Sequence, residues 1–180
     1  MRWRRCGYGG AENTVTVRST VISTGWFAVL AWARLLKFPN LSAANYTITS
    51  PENRDYNCAA WAAGDDQAWW WPSPDVPECY WPTSRRDGSL EAITEGFGAL
   101  GYSACESPEL ESDYEKVAIF ANDDGPTHVA RQLSTGRWTS KLGKLEDIDH
   151  STLADIECDL YGRPVLFMRR PLAEQEEANT

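Results

Sequence analysis

The predicted fold depends on residues 55–64, which read DYNCAAWAAG. Asn57 is a favourable N-cap, the alanines that follow have high helix propensity, and Gly64 provides a left-handed stop. The pattern predicts a short, buried helix with Cys58 in its first turn. A thiol there faces unpaired backbone N–H groups and the positive end of the helix dipole, which favour the thiolate. Cys58 is therefore a candidate nucleophile, and the alternative is a small buried apolar residue with no chemistry.

An aromatic loop follows this helix at residues 69–82, with WWWP at its start and YWP at its end. Its prolines argue against a regular helix or strand. Four tryptophans and a tyrosine carry a large apolar area, so we expect the loop to fold over the cysteine helix and exclude water from one side of it. The alternative is a platform on which a sugar or peptide substrate stacks.

The rest of the chain predicts one helix and an antiparallel meander. Residues 89–100 place apolar side chains at helical spacing. Three strand patterns follow at 116–121, 128–133 and 137–142, and Ser134-Thr135-Gly136 is typical of a three-residue hairpin loop. Further elements are predicted at 45–49, 102–105 and 163–169 as strands and at 151–156 as a short helix. We expect an α+β domain in which the cysteine helix packs on a small antiparallel sheet.

His128 begins the second strand of this meander, where its ring can meet a helix packed across the sheet. A thiol activated by an imidazole from a separate strand is the arrangement of cysteine peptidases, amidases and acyltransferases. A third polar group should orient the ring, and a three-residue loop makes Ser140 the diagonal neighbour of His128. A two-residue loop would shift the register by one residue. The alternatives for the third residue are Thr139, Lys141 and His150, of which His150 is interpreted as a capping or surface residue.

Candidate substrate-binding residues surround this pair. Gln132 shares a strand face with His128 and could donate to an oxyanion, as could Tyr56 and Asn57 beside the thiol. Trp61 of the helix and Trp71 of the aromatic loop are the candidates for apolar contact with a substrate.

Composition limits the classes of partner. A net charge of −9 and an isoelectric point near 4.7 argue against a general nucleic-acid binder, which needs a basic face. Five cysteines at irregular spacing, with no C-x-x-C pair, argue against a metal site and favour reduced thiols. We therefore expect neither a metal nor a cofactor.

The two ends of the chain are expected to lie outside the core. Residues 1–37 are interpreted as a partly disordered extension with one helix at 25–37, and residues 172–180 as a disordered acidic tail. Residues 21–33 resemble a secretory h-region, but the run is too short for a bilayer span of about 20 residues. We expect a cytoplasmic protein without a stable membrane span, with export as the alternative if residues 21–33 act as a signal. Residues 38–171 then form a single domain.

Several short motifs carry a resemblance to a known family. They are FPNL at 38–41, ITSP at 48–51, YNCAAWA at 56–62, WWWP at 69–72, LGY at 100–102, HVARQ at 128–132 and WTSKLG at 138–143. With these motifs, residues 38–171 resemble an uncharacterised bacterial domain-of-unknown-function family, which implies no activity. The order of a cysteine helix followed by a meander with histidine is also similar to papain-like and NlpC-type cysteine peptidases. That similarity implies a papain-like arrangement.

Two hypotheses of function follow. The first is a thiol-dependent hydrolase or acyltransferase acting on a peptide, amide or acyl substrate: Cys58 attacks the carbonyl, His128 transfers the proton, and Ser140 orients the ring. The second is a non-enzymatic binding or interaction domain in which the aromatic loop forms the contact surface. The distance between the Cys58 sulfur and the His128 ring separates the two.

Overall fold

The computed structural model describes residues 37–172. One sheet of seven antiparallel strands dominates it, in the order β1-β6-β5-β4-β3-β7-β2. The strands are β1 (Tyr46–Ile48), β2 (Ser103–Cys105), β3 (Tyr114–Asn122), β4 (Gly125–Gln132), β5 (Trp138–Lys141), β6 (Asp147–His150) and β7 (Arg163–Pro171). The helices are α1 (Cys58–Ala63), α2 (Leu90–Ala99) and a 3-10 turn at Leu153–Ile156. The α+β class is confirmed, with the sheet as the larger part.

Some expectations about the ends of the chain fall outside the described residues. These are the extension up to residue 36, with its helix at 25–37 and its possible export segment at 21–33, and the acidic tail after residue 172. Within residues 37–172, no helix has the length and apolar character needed to cross a membrane.

Helix α1 forms where the local sequence predicts it. The side chain of Asn57 accepts a hydrogen bond from the backbone N–H of Ala60, and Gly64 ends the helix with a φ of 87°. The first is a common N-cap interaction and the second a common C-cap conformation. Because four of its six residues are buried, the helix is held by packing rather than by its own length.

The sheet has two faces, and alternate residues of its strands contribute to each. One face, here called the helical face, carries Val117, Ile119, Val129 and Met168, which pack with α1, α2 and the aromatic loop. The opposite face carries Ala118, Phe120, Ala130 and Ile148, which pack with the segment from residue 38 and with the 3-10 turn. This alternation follows from the two-residue period of a strand. Trp70 and Trp81 are buried against α1, so the prediction that the aromatic loop covers this helix is confirmed.

The hairpin between β4 and β5 has the predicted three-residue loop. The backbone N–H of Leu133 donates to the carbonyl of Arg137, and Gln132 pairs with Trp138. The alternative register, with a two-residue loop, is therefore wrong. A three-residue loop of this kind needs a left-handed residue, and Gly136 provides it with a φ of 82°.

Strand β6 was not anticipated from the sequence. Its four residues read DIDH, and two aspartates in four residues are uncommon in strands. The strand forms because it pairs with both β5 and β1. His150 consequently lies in the sheet and is fully buried, so its interpretation as a capping or surface residue is wrong.

Helix α2 contacts the aromatic loop through a glycine. The indole of Trp81 occupies the space that a Cβ atom at Gly96 would take. Gly98, two residues later in the same helix, is exposed and has no atom within 4 Å of that position. Gly96 and Gly98 therefore lie in the same helix but differ in packing, so the same substitution at both positions can be compared.

We expect Gly96→Ala to lower the free energy of unfolding by about 1–3 kcal/mol, because the new methyl group displaces the Trp81 ring. Gly98→Ala should leave it unchanged or raise it by up to about 1 kcal/mol, since alanine has the higher helix propensity. Urea unfolding of both variants measures the difference. Equal effects of the two substitutions would contradict the close packing of Trp81 on α2.

Candidate functional site

Cys58 lies at the start of α1 and is 7% exposed. Burial raises the pKa of its thiol to about 11, although hydrogen bonding from the backbone of Val129 and Ala59 and the charge of Lys141 act in the opposite direction. Desolvation therefore outweighs the stabilisation that a helix start offers to a thiolate. The prediction of an acidic thiol is wrong.

The position of the thiol follows from a divergence in the sheet. The ladder between β4 and β5 consists of two residue pairs, Arg131 with Thr139 and Gln132 with Trp138. In a strand, the backbone N–H and C=O groups of every second residue point towards the same neighbouring strand. The backbone groups of Val129 therefore point towards β5, as those of Arg131 do. At Val129 this ladder has already ended, and the Val129 backbone lies beside the Cys58 thiol, whose pKa it acts to lower. Cys58 thus lies next to the point at which β4 and β5 separate.

His128 and Ser140 meet on the opposite face of the sheet. Ser140 Oγ lies 3.0 Å from His128 Nε2 and 3.0 Å from His150 Nε2, and all three residues are fully buried. The contact predicted between His128 and Ser140 is present. The ring of His128 stacks on Tyr161, with 4.2 Å between centroids, and meets the edge of Phe120.

Donor and acceptor can be assigned for each hydrogen bond that links His128, Ser140 and His150. His150 Nδ1 lies 2.7 Å from the backbone carbonyl of Thr152, which can only accept, so Nδ1 carries the proton. His150 Nε2 then accepts from the Ser140 hydroxyl, and Ser140 in turn accepts from His128 Nε2. His128 Nδ1 is left as an acceptor, and no residue within 37–172 donates to it. Burial lowers the pKa of His128 to about 3, with a further contribution from His150, and burial lowers the pKa of His150 as well.

The structure does not bring Cys58 and His128 into a hydrogen bond. Within residues 37–172 the partner of His128 is Ser140, whereas the hydrogen bonding of Cys58 comes from the backbone. The side chain of His128 packs with Phe120 and Tyr161, which belong to the opposite face, while α1 packs on the helical face. Val129, the residue after the histidine, is the one that faces the helix.

The residues beside the thiol are engaged in internal contacts. The amide of Asn57 donates to the carbonyl of Trp70 at 2.8 Å and accepts from its N–H at 3.1 Å, which ties the aromatic loop to the start of α1. The Tyr56 hydroxyl donates to Asp147 at 2.5 Å. The indole N–H of Trp61 donates to Thr139 Oγ1 at 3.1 Å. The Tyr56 hydroxyl and the Trp61 indole N–H are therefore committed to internal acceptors, and the Asn57 amide is held against the aromatic loop.

The remaining candidates for polar roles are also buried. Gln132 donates from Nε2 to the carbonyl of Pro108 at 2.8 Å, which holds the loop before β3. Lys141 is fully buried with its Nζ 3.9 Å from Asp147 Oδ1 and 4.9 Å from the centre of the Tyr56 ring. Burial lowers the pKa of this lysine, and the charge of Asp147 opposes that shift. Lys141 and Thr139 are therefore on the helical face, away from His128.

A cavity of about 660 Å³ lies where β4 and β5 have diverged. Trp69 and Trp71 of the aromatic loop line it, together with Phe38 and Tyr161, which pack against each other with 5.1 Å between ring centroids. Its other walls are the turn between β3 and β4 and the turn between β5 and β6, at residues 122–127 and 142–145, with Lys37 and Leu160 completing the lining. The divergence of two strands therefore produces the cavity.

Of the predicted site residues, only Trp71 lines this cavity. Phe38, Tyr161 and the two turns were not identified as site residues from the sequence, because they are far apart in the chain and none belongs to a catalytic motif. The aromatic loop was the one available signal, since a proline-rich segment with several tryptophans is unusual.

The thiols differ in accessibility. Cys58, Cys105 and Cys158 carry free thiols. Cys105 and Cys158 are half-buried, in contrast to Cys58.

We expect iodoacetamide at pH 8 to label Cys105 and Cys158 well before Cys58, because Cys58 is both buried and protonated. Peptide mass mapping over time measures the order, with the denatured chain as the control. Labelling of Cys58 first would contradict the buried, neutral thiol.

The histidine pair predicts acid-labile stability. Below a pH of about 6.5 the unfolded chain protonates both histidines, whereas burial lowers the pKa of His128 in the folded chain to about 3 and lowers that of His150 as well. The unfolded state then binds more protons, so the free energy of unfolding should fall as pH drops from 7 to 5, by up to about 1.4 kcal/mol per pH unit from His128, with a contribution of the same sign from His150. The chain has only two histidines. We expect His128→Asn to lower stability at pH 7 but to reduce this slope, and an unchanged slope would contradict the assignment.

A family model for a domain of unknown function, DUF7689, matches residues 47–169, which include α1, the aromatic loop and both cavity turns. Comparison with curated proteins and with solved structures finds no match for the chain. The family match confirms the expected membership in a family of unknown function, whose description states no activity. The chain belongs to the domain-of-unknown-function family DUF7689.

Proposed function

We propose that this domain is a binding module that holds a small organic ligand in the cavity between β4 and β5. The observation that carries the proposal is the cavity itself, whose volume of about 660 Å³ is within the range of sites for small molecules. Such sites are mostly apolar, with a few polar groups. The aromatic side chains of Phe38, Trp69, Trp71 and Tyr161 are consistent with that pattern.

The way the aromatic loop is held supports a preformed site. Asn57 fixes the backbone of Trp70 from both sides, and the indole N–H of Trp70 donates to Asp65 at 2.7 Å. The indole N–H of Trp69 donates to the carbonyl of Arg54 at 2.8 Å. A wall that is already ordered loses little conformational entropy when a ligand binds, so more of the contact energy contributes to affinity.

The thiol hydrolase predicted from the sequence has less support from the geometry. A catalytic cysteine needs a base within hydrogen-bonding reach and a thiolate at working pH. Cys58 has a raised pKa, and His128 donates to Ser140 on the other face of the sheet. The papain-like arrangement and the hydrolase or acyltransferase activity therefore remain predictions, and the experiments below separate them from ligand binding.

Binding is measured with N-phenyl-1-naphthylamine, a neutral aromatic probe whose fluorescence rises in apolar sites. We expect saturable binding at one site per chain, weakened roughly ten-fold or more by Trp71→Ala because the variant removes one aromatic wall. Tyr80→Ala is the matched control, since Tyr80 lies in the same loop, is 49% exposed and does not line the cavity. Loss of affinity in both variants alike, or in neither, would refute binding at this cavity.

A second measurement addresses the thiol. We expect Cys58→Ser to bind the probe as the natural chain does, because the sulfur does not line the cavity. Hydrolysis of an activated ester, such as p-nitrophenyl acetate, should be the same for both chains. A loss of turnover confined to the Cys58 variant would favour the hydrolase over the binding module.

A further inference from the structure

The charged residues that line the cavity lie at its mouth in the part of the chain that the structure describes. There are three of them, Lys37, Lys144 and Asp124, and all three are exposed. The inner lining is apolar, with Phe38, Leu142 and Tyr161 buried. The cavity is therefore amphipathic, with an apolar interior and a charged entrance.

The two lysines at the entrance have no ion-pair partner among residues 37–172, whereas Lys116 and Lys141 are each within 4 Å of a carboxylate. With Asp124 counted, the described residues at the entrance have a net charge of +1, in a chain whose net charge is −9. This local excess of positive charge contrasts with the rest of the molecule and complements an anion.

The walls favour a ring over an alkyl chain. Trp69 and Trp71 of the aromatic loop line the cavity together with Phe38 and Tyr161, so a ligand inside it meets aromatic side chains from separate segments of the chain. Aromatic pairs add about 0.5–1.5 kcal/mol beyond the burial of their area. An aliphatic chain would gain only the free energy of burying its apolar area.

From these features we infer that the ligand is an aromatic organic anion. Its ring lies between the tryptophans of the aromatic loop and Tyr161, and its anionic group lies at the entrance beside Lys144 and Lys37. This inference rests on the proposed function, since it names the ligand class of the same cavity.

Two probes with one ring skeleton test the anionic part. 8-Anilinonaphthalene-1-sulfonate carries a sulfonate, and N-phenyl-1-naphthylamine does not. We expect Lys144→Gln to weaken binding of the sulfonate roughly two- to five-fold and to leave the neutral probe unchanged, since an exposed ion pair contributes little more. Asp124→Asn should strengthen sulfonate binding by a similar factor. Arg85→Gln is the control, because it removes an exposed positive charge that does not line the cavity.

The outcomes separate the two proposals. If Trp71→Ala weakens both probes while the Lys144 and Asp124 variants leave the ratio of their dissociation constants unchanged, the cavity binds ligands without a preference for anions, and the inference is wrong. If Trp71→Ala affects neither probe, the proposed function itself fails. Melting temperatures of all variants, compared with the natural chain, show that each is folded.

Displacement of the sulfonate probe tests the aromatic part. Naphthalene-2-carboxylate and octanoate carry the same anionic group on bodies of similar hydrophobicity. We expect the naphthalene compound to displace the probe at a lower concentration, and Trp71→Ala to remove this advantage. Equal displacement by the two carboxylates would overturn the preference for an aromatic body.

Discussion

The ladder between β4 and β5 is only two residue pairs long, and the packing of α1 and the position of the cavity both follow from this limit. Beyond these pairs the strands separate, and the backbone of Val129 lies beside the Cys58 thiol of α1. Helix α1 packs against both β4 and β5 there. The same divergence leaves the space that becomes the cavity.

Burial determines the chemistry available to each polar residue. Cys58 could be stabilised as a thiolate by its helix position, but desolvation has the larger effect on its pKa. The histidine pair remains neutral for the same reason, and its hydrogen bonds run from His128 through Ser140 and His150 to the carbonyl of Thr152. Cys58 and the histidine pair, whose residue types suggest catalysis, therefore stabilise the two faces of the sheet. The cavity, which has an open entrance, is the better candidate for function.

The aromatic loop connects the fold to that candidate function. Its buried tryptophans, Trp70 and Trp81, pack on α1 and α2, and its half-buried tryptophans, Trp69 and Trp71, line the cavity. Trp71 also packs against the core on the helical face, so the WWW run contributes both to that core and to the cavity wall. Asn57 links the loop to the start of α1, which makes the wall of the cavity as ordered as the core.

The features that could be predicted from the sequence depend on near neighbours in the chain: the caps of α1, helix α2, the three-residue hairpin loop, and with it the contact between His128 and Ser140. Local backbone chemistry sets these, so residues a few positions apart are enough to predict them. Tertiary structure decided which face each residue meets. The strand period places Val129 rather than His128 against α1, and pairing with β1 and β5 buries His150. The cavity comes from segments as distant as Phe38, Trp71, Lys144 and Tyr161, whose proximity depends on how the sheet diverges and not on any local pattern.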